Sequence, residues 1–132
     1  MNEPETDSAR LHILANAVML GMMTFLHLAG IGSVAINVAI FVAKPATRPL
    51  LEDPERIGNL IAYVLCGAWA CLGVVLAPVC AVGLGLRAPW AHTLSRLYWA
   101  FSLLTVCCMP VGAYGLWSLA RDDVARAFKA RG

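Results

Sequence analysis

Met19, Met23 and His27 follow one another at one-turn intervals in a stretch, residues 11–43, that holds no Asp, Glu, Lys or Arg. On a helix this spacing puts two thioethers and an imidazole on one face. Such donors suit Cu(I), a soft cation. Joined by Cys66 or Cys80 from a second segment, the stripe could bind or pass copper. The same residues have a plainer use. Methionine fills irregular gaps between helices, and a buried imidazole hydrogen-bonds a neighbour.

Haem is the other cofactor these residues suggest, because histidine is a common axial ligand. His12 and His27 would stand about 22 Å apart along a helix. They cannot share one iron, so each would need a histidine from another segment or chain. His92 could meet His12 if both occupy one membrane face.

Other chemistry is weakly represented. Ser33, Ser95, Ser102 and Ser118 lack a nearby His–acid arrangement, and no HExxH or phosphate-cradling loop occurs. This disfavours an enzyme. A proton-coupled exporter needs an ionisable residue within the membrane. No carboxylate lies in any apolar segment, which disfavours such an exporter; a small transporter would also have to be an oligomer to enclose a path.

The chain that positions these residues has 132 residues, 60% hydrophobic and 14% charged. Soluble domains carry about 25% charged residues. The acids fall in three islands: the N-terminus, Glu52 to Glu55, and Asp122–Asp123. Between them lie stretches longer than the roughly 20 apolar residues a bilayer crossing needs. The expected fold is therefore all-α, an integral membrane helical bundle in one domain. The net charge of +2 gives no case for nucleic acid. The bilayer itself and the helices of other membrane proteins, or of a second copy, are the expected partners. The five cysteines sit in apolar segments and read as buried, reduced thiols. Residues 1–9 are acidic and lack Lys and Arg, unlike the start of a secretory signal.

Three long transmembrane segments are expected. The first, residues 11–43, would run about 50 Å against about 30 Å of hydrocarbon. His12, Asn16, Met19, Met23, His27, Ser33 and Asn37 keep one phase along it, within an arc of about 120°. This favours one continuous helix, despite Gly30 and Gly32. A proline-rich loop follows at 44–57, where Asp53 should cap the next helix with Pro54 in its first turn. The second segment, 58–86, carries Cys66, Ala70, Gly73, Ala77 and Cys80 on one face. Small residues at this spacing let helix backbones approach closely. Pro78 should kink it.

A basic and aromatic loop occupies 87–95. The third segment, 96–120, is read as one crossing kinked at Pro110, with a split into a helical hairpin as the alternative. Thr105, Cys108, Gly112 and Gly115 form a second small-residue face. Residues 121–132 make an amphipathic helical tail, whose Val124 and Phe128 would meet the cytoplasmic leaflet or leave a plain solvated helix end. Of the ten basic residues, Arg10, Arg87 and Arg96 fall on one side of such a topology and the other seven on the opposite side. The positive-inside rule then puts the C-terminus in the cytoplasm.

The stretch Gly83-Leu84-Gly85-Leu86-Arg87-Ala88-Pro89-Trp90-Ala91-His92 resembles a pattern in small bacterial multipass membrane proteins of unassigned function. Pro110-Val111-Gly112, Gly115, Trp117 and Leu119 are similar to a later element of the same proteins, as is Leu11-His12-Ile13-Leu14-Ala15. Ala113 stands where Thr is usual, and His92 where Arg is usual. The resemblance implies a small helical membrane module, in a bacterial inner membrane, and no particular activity. The expected role is a scaffold or accessory subunit of a membrane complex, acting through helix packing. A copper- or haem-binding subunit built on Met19, Met23, His27 and His12 is the alternative, and an oligomeric small transporter the second.

Overall fold

The computed structural model describes residues 7–44, 49–104 and 109–129. Among them the chain is all-helical, without a strand. Helix α1 is Asp7–Ala43, α2 Pro54–Gly85, α3 Pro89–Ser102, α4 Met109–Leu119 and α5 Asp122–Lys129. A short 3-10 turn, Leu50–Glu52, precedes α2.

α1 is one helix of 37 residues, and Gly30 and Gly32 do not interrupt it. α2 has 32 residues and continues through Pro78. Both are long and apolar enough to cross a membrane. Only 6% of the apolar window of α1 and 17% of that of α2 is buried. The central helix of a water-soluble protein is mostly covered by its neighbours. The expected cap of α2 is present: the Arg56 backbone N–H donates to Asp53 Oδ1 at 3.2 Å, and Pro54 opens the helix.

The chain divides into two compact units, Met1–Met23 with Leu76–Gly132, and Thr24–Val75. In the second unit the later part of α1 pairs antiparallel with the early part of α2. Gly30 faces Ala70, Val34 packs on Gly67, and the Phe41 ring lies edge-on to Tyr63 at 6.0 Å.

In the first unit, Leu20, Leu84, Trp99, Leu119, Val124 and Phe128 build the core. α2 gives way to α3 through a tight corner. Ala88 N–H bonds Gly83 O at 2.9 Å and Arg87 N–H bonds Leu84 O at 3.0 Å. This is a Schellman ending, with Arg87 in the left-handed position at φ 56° that glycine usually fills. Pro89, which cannot continue a helix but can begin one, starts α3. At this corner Gly83 admits Trp90 and Ala91, whose side chains lie 2.7 and 2.6 Å from where a Cβ would stand.

Over 96–120 the described residues form two helices, as in the hairpin alternative, rather than one kinked helix. α3 ends at Ser102, and α4 runs back along it. Gly112 lies against Leu103, Gly115 against the Trp99 ring, and His92 at the start of α3 reaches Leu119 O at the end of α4 at 2.8 Å. Neither helix alone is long enough to cross a bilayer, at 14 and 11 residues. The physical reason is size matching. A continuous helix would leave the Trp99 indole without the glycine notch that antiparallel pairing provides.

The tail is also corrected. α5 is amphipathic, but Val124 and Phe128 are buried in the first unit's core rather than turned to lipid or solvent. Phe128 stacks near His92, ring centroids 5.1 Å apart. Asp123 and Arg121 hold the start of α5 in a two-pronged salt bridge, both distances 3.1 Å. Arg121 also donates to Ser8 Oγ at 3.2 Å and lies over the Trp117 ring.

The Arg121 guanidinium, by hydrogen bonding first, holds the Asp123 carboxyl below its ordinary value, and the Val124 N–H helps. A carboxyl lowered in the folded state stabilises it above the ordinary carboxylate value of about 3.9. That contribution is lost as pH falls through the lowered value. An acid titration of the thermal midpoint should therefore fall less steeply on the acid side for Asp123→Asn than for the parent. Identical acid limbs in both proteins would remove the pair from the account of α5 docking.

Candidate functional site

The polar stripe of α1 is partly a buried seam. Asn16 is fully buried, and Met23 and His27 are 4% and 5% exposed. Ser33 and Asn37 are exposed, and Asn37 Nδ2 donates to Ser33 O at 2.8 Å within its own helix. The seam therefore ends at His27 rather than running on to Asn37.

In the first unit, Asn16 is the centre of a polar knot. Its Nδ2 donates to Ser118 Oγ at 2.7 Å and to His12 O at 2.8 Å, and its Oδ1 accepts from Trp99 Nε1 at 3.0 Å. Ser118 Oγ donates in turn to Gly115 O at 3.1 Å. One side chain thus satisfies groups from α1, α3 and α4. Buried polar groups of this kind need every partner, because an unmade hydrogen bond in an apolar interior is costly. Beside the knot, His12 Nδ1 pairs with the Tyr114 hydroxyl at 3.1 Å, and its ring stands edge-on to Trp117. His92 is engaged separately, by Leu119 O. The two imidazoles that might have met thus have different partners.

Met23 lies in the apolar core of this unit, with Met19 packed against it. His27 belongs to the second unit, where its ring fills the notch left by Gly73 and meets Trp69 edge-on, centroids 6.0 Å apart. A Cβ at position 73 would collide with the imidazole ring. Among the described residues there is no cluster of three or more His, Cys, Asp or Glu able to hold a metal ion.

The small-residue face expected on α2 is divided. Ala70 and Gly73 face α1 within the second unit, while Ala77 and Cys80 are buried in the first unit. Cys66 is exposed. Gly67, one residue on, takes its place against Val34. The signal for Gly67 was the three-residue spacing of Gly67, Ala70 and Gly73, with Gly30 as the small residue opposite. In the second face, Gly112 and Gly115 are buried against α3, and Thr105 and Cys108 lie outside the described residues. The glycine notches are thus filled from within the chain: His27 at Gly73, Trp99 at Gly115 and Trp90 at Gly83.

Much of what lies open is apolar. In the second unit Phe25 is 75% exposed, and Leu28, Ile36, Val64 and Leu65 are exposed too. Gly32 stands on this face between Leu28 and Ile36, and a Cβ there would meet nothing within 4 Å.

These features define a helical protein with two helices of membrane-crossing length, internal glycine notches and an uncovered apolar exterior. No known protein family, no curated protein and no solved structure matches the chain.

Proposed function

We propose that this protein is a multipass helical protein of the bacterial inner membrane, with its C-terminus in the cytoplasm, and that it serves as a scaffold or accessory subunit through helix packing. The observation that carries this reading is the uncovered apolar face of α1 and α2, large side chains such as Phe25, Ile36, Val64 and Leu65 lying open along both. Contiguous apolar surface on this scale is unsuited to water and suits lipid or another apolar helix. The buried glycines serve the chain's own fold, so association must use the exterior. Gly32 is the place on α1 where a partner backbone could come close without displacing any part of this chain.

The test is a pair of substitutions in the full-length protein, expressed in a bacterium and extracted in mild detergent. The parent should stay with membranes through alkaline carbonate washing and run as a defined assembly, either with itself or with another membrane protein. Gly32→Leu should leave the helical content and thermal midpoint unchanged and weaken that assembly. A protein washed off by carbonate, or an assembly indifferent to Gly32→Leu, would overturn the reading. The same sample, read for a Soret band and for copper, tests the cofactor role of Met19, Met23 and His27.

A further inference from the structure

Where α1 ends and α2 begins, the second unit holds a cavity of about 270 Å³. Lys44 and Arg56 supply two positive charges to it, and Asp53 and Glu55 two negative ones. Among the described residues these cations and acids form no salt bridge with one another. The Arg56 guanidinium is instead seated over the Phe41 ring at 4.9 Å. Asp53 accepts the Arg56 backbone N–H through Oδ1. Asn37, Asn59 and Tyr63 add neutral hydrogen-bonding groups, and Ile40 and Phe41 an apolar flank.

We propose that this cavity binds the zwitterionic headgroup of a primary-amine phospholipid of the phosphatidylethanolamine type. Lys44 and Arg56 take the phosphate, and Asp53 and Glu55 the ammonium. This rests on the reading that α1 and α2 cross a bilayer. Three observations carry it. The cavity is lined by the last turns of α1 and the first turns of α2, the two helices long and apolar enough to cross a membrane, where charged residues border their apolar stretches. Among the described residues its charges cancel, which suits a headgroup bearing both signs better than an anionic one. Its volume falls just below the roughly 300–1,000 Å³ of ordinary small-molecule sites, which fits a compact polar group. Arginine and lysine are the usual phosphate partners. An ammonium with N–H donors can satisfy two carboxylates, whereas a quaternary ammonium offers none.

The experiment uses the full chain, delipidated in detergent and then given phosphatidylethanolamine, phosphatidylcholine or phosphatidylglycerol with identical acyl chains. Retained lipid is counted by native mass spectrometry. A charge-assisted hydrogen bond contributes about 1.5–3 kcal/mol and each 1.4 kcal/mol is tenfold, so the ethanolamine lipid should be held at least about tenfold better than the choline lipid. Lys44→Gln with Arg56→Gln should lower its retention about tenfold, and exposed Lys44→Gln alone should lower it measurably with the fold intact. Asp53→Asn with Glu55→Gln should erase the preference over choline, since asparagine still caps the helix. Equal retention of the three lipids, or indifference to Lys44→Gln and to the double cation variant, overturns the proposal. Phosphoethanolamine that binds as well as the whole lipid overturns the lipid as the source. Carbonate washing separates the two readings: a protein that leaves the membrane overturns both, and one that stays but shows no lipid preference overturns only this one.

Discussion

Gly73→Ala should lower the stability of this protein by about 2–3 kcal/mol, because overpacking a closed interface costs on that order. The new methyl would collide with the His27 ring, which is itself 5% exposed and meets Trp69 edge-on. The imidazole must leave, and its exit opens the pairing of α1 with α2 in the second unit. Gly73→Leu should separate the two helices altogether. The measurement is thermal or denaturant unfolding in detergent, with Trp69 fluorescence as the local reporter. A second variant isolates the cause. His27→Ala removes the ring the methyl strikes, so adding it to Gly73→Ala should recover part of the lost stability. Neighbouring residues that share one cause couple by about 0.5–3 kcal/mol in such a cycle. Strictly additive losses would show that collision with His27 is not the reason Gly73 is required, and a Gly73→Ala protein as stable as the parent would remove the notch from the account entirely.

Asn16→Leu should cost about 1–3 kcal/mol, although leucine branches at the same carbon and sits well in an apolar helix. Asn16 Oδ1 is the acceptor for the buried Trp99 Nε1–H, and Asn16 Nδ2 binds Ser118 Oγ. Ser118 keeps its bond to Gly115 O, so the indole N–H is the group that loses most. Trp99→Phe in the Asn16→Leu background should therefore regain much of the loss, since it removes the stranded donor together with its missing acceptor. Unfolding monitored by circular dichroism decides this, with Trp99 emission shifting in the single variant. If Trp99→Phe deepens the loss by its full packing cost instead, hydrogen bonding is not what makes Asn16 necessary.

These results bear on how a membrane-length helical protein keeps a unique arrangement. Helix association inside a bilayer cannot draw on the hydrophobic effect, because lipid is as apolar as the helix surface. Close packing at small residues and satisfied polar contacts must do it instead. Here the two devices fall in different units: a polar knot at Asn16 in the first, and a glycine notch at Gly73 in the second.

Much of the helical layout was legible because it depends on local properties. The absence of charge between residues 11 and 43 dictates one long apolar helix, and the acidic islands mark its limits. Asp53 followed by Pro54 marks the start of α2, since capping and a proline in the first turn are events of a few residues. The helical period placed Asn16, Met23 and His27 together on the buried side of α1, and Gly73 on the packing side of α2. It also placed Ser33 and Asn37 on the buried side, and there it failed. Asn37 bonds the carbonyl one turn back and so can stay exposed.

What the sequence by itself determined is the class of element, the start of α2 and the residues suited to close approach. Tertiary structure alone decided which notch receives which side chain. The reversal between α3 and α4 depends on the fit of Trp99 to Gly115 and of Leu103 to Gly112, and the docking of α5 depends on Val124 and Phe128 finding a core. The physical reason is range. Hydropathy, capping and helical period act within a few turns of one segment. The complement of a glycine is a large side chain far along the chain, and nothing local to the glycine says which one.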